Sequence, residues 1–230
     1  MFQTIANMTI TERGKQRVFI VDDHPLVREW LTNLINQQVD LAVCGEAENA
    51  PQALRAISQT KPQVAIIDLS LKDSSGLELI KDLKQTEPTV NILALSMHDE
   101  SLYAERALRA GAKGYIMKRE STGRVIEAIR QVLEGGIYVS GTVTQVMAAR
   151  IAGRKTHENV SPVDLLSDRE LEVFMMLGKG LGTRQIADSL KVSLKTVQAY
   201  CARAKEKLHL KNATELLREA ICWIETKGPR

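Results

Sequence analysis

Val18-Phe19-Ile20-Val21-Asp22-Asp23 and, further along, Val64-Ala65-Ile66-Ile67-Asp68 are short apolar runs that each stop at aspartate. Such runs are short for a buried helix, and their β-branched content suits strands covered on both faces. Three more segments, 41–45, 92–95 and 114–117, have the same character. Between the strands lie stretches of helical period, such as Leu26, Trp30 and Leu34 beside Val27, Leu31 and Ile35. Five strands alternating with five helices predict an α/β domain whose parallel sheet is covered on both faces through right-handed crossovers. Functional groups in such a fold collect beyond the carboxyl ends of the strands.

Those ends can be read directly. The first strand stops at Asp22 and Asp23, the third at Asp68, the fourth at Ser96 and the fifth at Lys118. Carboxylates crowded at neighbouring strand ends repel one another, so the cluster is costly unless a cation neutralises it. Oxygen-only ligands suit Mg²⁺, which binds through one or two carboxylates and keeps several waters. Three acids, a hydroxyl and an ammonium form a site for a metal plus a small anion. Taken singly, each residue has a plainer role, since an Asp after a strand is usually a turn residue or a helix cap. Their order along successive strand ends is what points to chemistry. His24, beside Asp23, reads as a surface histidine at a helix start, and Asp82 and Asp99 carry no assigned role.

Outside this region the chain changes character. Its 230 residues suit two domains, and 44% hydrophobic with 26% charged residues exclude a disordered or fibrous protein. No apolar run approaches the roughly 20 residues that span a bilayer. Residues 1–17 lack the apolar core of a secretory signal and read as a polar tail. Cys44, Cys201 and Cys222 are odd in number and scattered, which fits neither a disulfide framework nor a metal site and leads us to expect a reducing cytoplasm. The net charge of +3 is uneven: residues 153–230 carry 14 Lys+Arg against 10 Asp+Glu, and the remainder 17 against 18. The C-terminal part is thus the basic part, as a nucleic-acid partner requires. The expected boundaries are 18–134 for the α/β domain, 135–165 for a linker with a short helix at 143–152, and 166–230 for a helical domain.

In that last segment Ser167-Asp168-Arg169-Glu170 has the form of a capping box, with Leu166 and Leu171 spaced as a hydrophobic staple. The helix it starts ends at Gly178-Lys179-Gly180. A second helix from near Gly182 carries Ile186, Ala187 and Leu190. After the turn Lys191-Val192, Ser193 is placed to cap a third helix. Its apolar face is Val197, Cys201, Ala204 and Leu208; its outer face is Lys195, Gln198, Ala199, Ala202, Arg203 and Glu206. Two helices joined by a tight turn, the second with small, amide-bearing and basic residues outward, fit a major-groove reader. A small bundle with a solvated basic face fits the pattern equally well.

Asp22-Asp23, Asp68, Ser96 and Lys118 resemble the signature of receiver domains, over about 18–134. Leu166-Ser167-x-Arg169-Glu170-x-Glu172-Val173, Gly180-x5-Ile186-Ala187-x2-Leu190-x-Val192-Ser193-x2-Thr196-Val197 and Lys207-Leu208 resemble the LuxR-type DNA-binding domain, over about 165–223. Together they resemble a two-component response regulator of the NarL/FixJ class. The resemblance implies a five-stranded, parallel, doubly wound (flavodoxin-like) receiver followed by an all-α four-helix helix-turn-helix domain. It also implies a transcriptional regulator and not an enzyme.

By that resemblance Asp68 is the phosphoacceptor for a sensor histidine kinase. Asp22, Asp23, Asp68 and the backbone carbonyl of Ser70 hold Mg²⁺, Lys118 neutralises phosphoryl charge, and Ser96 with Tyr115 acts as the switch. Gln198, Ala199 and Ala202 would meet base edges of double-stranded operator DNA; Lys195, Thr196, Arg203 and Lys207 would meet phosphates. The last helix, capped by Asn212 with Glu215 and bearing Leu216, Leu217, Ala220 and Ile221, would pair two copies on DNA. Phosphorylation would either free the DNA-binding domain or favour the homodimer, with couplings of about 1–3 kcal/mol. The alternative is a Mg²⁺-dependent phosphotransfer sink whose C-terminal bundle binds protein. The chain departs from the family pattern at Lys72 and Arg119, where prolines are usual, and at Gly182, Gln198 and Tyr200, where Ser, Lys and His are frequent. The last two predict a different target sequence.

Overall fold

The structure is a computed structural model that describes residues 14–71, 74–151 and 162–227. Most of the polar tail, Lys72, and the polar run 153–159 lie outside the described residues. The chain divides into two compact units, Met1–Val146 and Met147–Arg230.

In the first unit the element order is β1 (Gln16–Val21), α1 (Pro25–Asn36), β2 (Leu41–Ala47), α2 (Ala50–Thr60), β3 (Val64–Asp68), α3 (Gly76–Thr86), β4 (Asn91–Ser96), α4 (Glu100–Ala110), β5 (Gly114–Met117) and α5 (Thr122–Leu133). The five strands are parallel in the order β2-β1-β3-β4-β5. This is the flavodoxin-like doubly wound topology, whose order reverses between β1 and β3. Four strands are longer than the apolar runs suggest. β1, for instance, starts at Gln16 because its amide donates to the Asp40 carbonyl at 2.8 Å, and ladder pairing needs backbone groups, not apolar side chains.

Strands β3 and β5 are buried along their whole length, as their unbroken apolar runs suggest. On one face Leu31 and Ile35 of α1 join Val125, Ile126 and Ile129 of α5 over Val18, Ile20, Ile66 and Leu93. Asp99 caps α4 by accepting the Ser101 N–H at 2.9 Å, and Gly111, at φ +116°, ends it in a conformation that favours glycine.

After α5 the chain does not leave at once. Tyr115 N–H donates to the Tyr138 carbonyl at 2.8 Å, and Tyr138 N–H to the Lys113 carbonyl at 2.9 Å. A short parallel bridge therefore lines the open edge of β5. Helix α6 (Gly141–Ile151) follows, and the division between units falls within it.

The second unit comprises a 3₁₀ turn (Pro162–Leu165), α7 (Asp168–Gly178), α8 (Thr183–Leu190), α9 (Leu194–Lys207) and α10 (Ala213–Lys227). Leu171, Phe174, Ile186, Val197, Leu216, Ala220 and Trp223 are buried in it. A Cβ on Gly178 would stand 2.5 Å from the Ala220 carbonyl oxygen, so only glycine lets α7 approach α10 this closely.

Candidate functional site

The carboxyl ends of β1 and β3 are neighbours by register, with Val21 beside Ile67. The next residues therefore bring Asp22 and Asp68 together, both about 1% exposed. Lys118, just past β5, reaches between them: its Nζ is 2.6 Å from Asp22 Oδ2 and 2.9 Å from Asp68 Oδ2. Burial drives the Asp68 carboxyl above its usual range, opposed by Lys118 and assisted by Asp22. Burial also pulls the Lys118 ammonium down, but the Asp68 and Asp22 carboxylates outweigh it and hold it above its usual value. One ammonium thus faces two buried carboxylates, and Asp23 adds a third.

Ligand atoms of Asp22, Asp23, His24 and Asp68 lie within 4.8 Å of one another. The donor set is rich in carboxylate oxygen and carries more negative charge than Lys118 neutralises, which fits a hard divalent cation. His24 sits closer than the sequence suggested. Its ring is 63% exposed, yet Nδ1 lies 2.8 Å from Asp23 Oδ1 and 3.2 Å from Asp22 Oδ1. The backbone N–H of His24 also donates to Asp22 Oδ1 at 2.9 Å, and Arg28 donates to the Asp22 carbonyl at 2.7 Å.

The β3–α3 loop supplies Ser70, whose N–H donates to Asp68 Oδ1 at 3.1 Å. Gly76 closes this loop: a Cβ there would be 2.1 Å from the Asp68 carbonyl oxygen and 2.6 Å from Leu69 Cα. Ser96 is fully buried at the end of β4. Its hydroxyl accepts the His98 N–H at 3.1 Å, and the Tyr115 hydroxyl donates to the His98 carbonyl at 2.8 Å. Burial raises the Tyr115 phenol well above its usual range. His98 was not singled out by the sequence. It hydrogen-bonds Ser70 Oγ through Nε2 at 2.8 Å, stacks on Tyr103 at 4.5 Å, and so ties the pocket loop to Ser96 and Tyr115.

In the second unit Ser193 caps α9, its Oγ accepting the Thr196 N–H at 3.0 Å and lying 2.7 Å from Thr196 Oγ1. Lys195, Gln198, Ala202 and Arg203 are exposed and Ala199 and Thr196 half-buried, so one face of α9 presents them outward. The Arg203 guanidinium lies 5.3 Å from the Tyr200 ring centroid, a cation–π distance. Lys207 turns inward: its Nζ is 2.7 Å from Oε2 of Glu170, which is only 2% exposed. Glu170 also accepts the Ser167 N–H at 2.8 Å. Burial raises the Glu170 carboxyl, but Lys207 and the Ser167 N–H hold it below its ordinary value. On α10, Leu216 and Ala220 are in the core, while Leu217 remains 39% exposed and Ile221 half-buried.

Comparisons with known proteins agree with this architecture. Residues 18–130 match the family described as response regulator receiver domain, and 164–220 match bacterial regulatory proteins, luxR family. The oxygen regulatory protein NreC of Staphylococcus haemolyticus is 35% identical over 209 residues, covering 89% of this chain and 96% of NreC. The response regulator GacA of Pseudomonas viridiflava is 33% identical over 205 residues, covering 89% and 95%. The structure of RcsB from Salmonella enterica serovar Typhimurium, bound to promoter P1flhDC in the presence of phosphomimetic BeF3-, aligns with a TM-score of 0.62 at 25% identity, covering 90% of this chain and 98% of RcsB. The luxR-family match decides between the two readings of the basic helical unit in favour of a DNA reader. Among the described residues no helix is long and apolar enough to cross a membrane. With a receiver sheet ending in its acidic pocket and a LuxR-type helical unit after it, the chain belongs to the two-component response regulators of the NarL/FixJ class, DNA-binding regulators of transcription.

Proposed function

We propose that Asp68 accepts a phosphoryl group from the phosphohistidine of a sensor histidine kinase, and that this step controls operator binding by the C-terminal domain. The observation that carries the reading is the buried pair Asp22 and Asp68 bridged by Lys118. An Asp68 oxygen attacks phosphorus, the P–N bond to the donor imidazole breaks, and an aspartyl-phosphate forms. Lys118 offsets charge on the phosphoryl oxygens, and the Ser70 amide holds the Asp68 carboxylate in its rotamer. Mg²⁺, held by Asp22, Asp23, Asp68 and the Ser70 carbonyl, would supply the remaining neutralisation.

Once Asp68 is modified, Ser96 turns its hydroxyl to a phosphoryl oxygen and gives up the His98 N–H, and Tyr115 follows. In the C-terminal domain Gln198, Ala199 and Ala202 read bases, while Lys195, Thr196 and Arg203 hold phosphates. Lys207 orients α9 through Glu170 and serves the phosphates less directly. The structure of RcsB bound to a promoter in the presence of a phosphomimetic supports DNA binding by the phosphorylated state here. The reading also includes a homodimer on DNA, with α10 as the pairing helix.

The test is labelling by a small-molecule phosphodonor with Mg²⁺, followed by DNA selection in both states. Wild type is expected to label and to bind a preferred motif more tightly afterwards. Asp68→Asn is expected to fold normally and remain unlabelled. Equal labelling of Asp68→Asn and wild type would remove Asp68 as the acceptor.

A further inference from the structure

Ser140 stands where the receiver switch meets the segment that leads to the DNA-binding domain. Its hydroxyl donates to Glu100 Oε1 at 2.6 Å and accepts the Val143 N–H at 3.2 Å. Its carbonyl takes the Thr144 N–H at 3.0 Å. Ser140 is thus the cap of α6, and Glu100, the first residue of α4, brings a carboxylate to the start of both helices, where it is favourable. Only Asp99, the α4 cap, separates Glu100 from His98, which is bonded to Ser96 and Tyr115.

Helix α6 depends on that cap more than most. It has 11 residues and begins Gly141-Thr142-Val143-Thr144, a run of weak helix formers. Its length is below that at which isolated helices persist in water. Among its described side chains Val143 is buried, whereas Val146 is 49% exposed. Little packing therefore replaces the cap if it is lost.

We propose that the Ser140–Glu100 hydrogen bond transmits the state of the receiver to the tether, by setting whether α6 is wound at its first turn. The proposal rests on the phosphorylation of Asp68 argued above. When Ser96 turns to the phosphoryl group, His98 loses its amide acceptor and the start of α4 withdraws with it. Ser140 then loses Glu100, and α6 frays from Gly141. A residue advances about 1.5 Å in a helix and about 3.3 Å when extended, so unwinding one turn lengthens the tether by about 7 Å. The gain in reach frees the DNA-binding domain to meet its site.

Hydrogen exchange on the full-length chain, with phosphodonor labelling measured in parallel, tests the coupling. Without donor, Ser140→Ala and Glu100→Ala are each expected to reduce amide protection at 143–147 by about five-fold. The double variant should fall no further than the larger single effect, because both remove one interaction, and Ser140→Thr should keep protection near wild type. With donor and Mg²⁺, wild-type protection at 143–147 should fall, and its DNA affinity should change. Ser140→Ala and Glu100→Ala should label as wild type does, yet lose most of the donor-dependent change in both protection and affinity. Wild-type labelling with no change at 143–147, or variants that keep the full DNA response, would overturn the coupling alone. Failure of wild type to label would instead overturn the phosphorylation reading, and the coupling with it.

Discussion

Lys118 neutralises two buried carboxylates at once, and its removal leaves both without a cation. Lys118→Met is expected to lower receiver stability in Mg²⁺-free urea unfolding by about 3 kcal/mol, the usual order for breaking a buried pair. Adding Asp68→Asn should restore part of the loss, since one of the opposed charges is then gone. Glu170 gives a pH signature in the other domain. Its folded pKa lies below its ordinary value, so its stabilising contribution is present above the unfolded value and lost as pH falls through the folded one. Thermal unfolding of the C-terminal domain should therefore show an acid-dependent drop that Glu170→Gln removes, together with a lower Tm at neutral pH. Asp22, Asp68, Ser96 and Lys118 could be named from sequence because each ends a recognisable strand. His98 could not, because Ser70 and His98 are 28 residues apart and meet only once β3 and β4 lie side by side. The same holds for Glu170 with Lys207, which the family resemblance assigns to the DNA phosphates and whose ion pair spans 37 residues.

At the scale of elements, the strands and the helix caps were the most legible parts. Unbroken apolar runs mark strands buried on both faces, and Ser193 announced the start of α9 by its position before an amphipathic run. The division of α10 was less legible. Leu216, Leu217, Ala220 and Ile221 form one apolar group in sequence, but Leu216 and Ala220 pack inside the bundle and leave Leu217 and part of Ile221 outside. Periodicity shows that a helix has an apolar face without saying what will cover it. Close packing sets two further expectations. Gly178→Ala gains helix propensity of about 1 kcal/mol but drives a Cβ into the Ala220 carbonyl, so a net loss of about 1–2 kcal/mol is expected in denaturant unfolding. Gly76→Ala pushes against the backbone of Asp68 and Leu69 and should slow phosphodonor labelling several-fold, even where the receiver stays folded.

For the whole molecule, the basic character of the C-terminal part sets the form of DNA binding. Affinity is expected to fall steeply with salt, as counterion release requires. Lys195→Ala and Arg203→Ala should each flatten the slope of log affinity against log salt by about 1 with little change in preferred sequence. Gln198→Ala should instead relax preference at one base pair, at a cost of about 1–3 kcal/mol for the preferred site. Tyr200→Ala should act in the same sense as Arg203→Ala but more weakly, because it removes the ring on which the guanidinium rests.

The bridge between Tyr138 and β5 bears on how the receiver behaves when it is cut from its partner. β5 is an edge strand, and the Tyr115 N–H and Lys113 carbonyl are satisfied there by Tyr138. A receiver fragment ending at Glu134 would bare those groups and offer a template for intermolecular strand pairing. A fragment ending at Val146 would keep the edge covered. The shorter fragment should self-associate on concentration, and the longer one should stay monomeric in sedimentation.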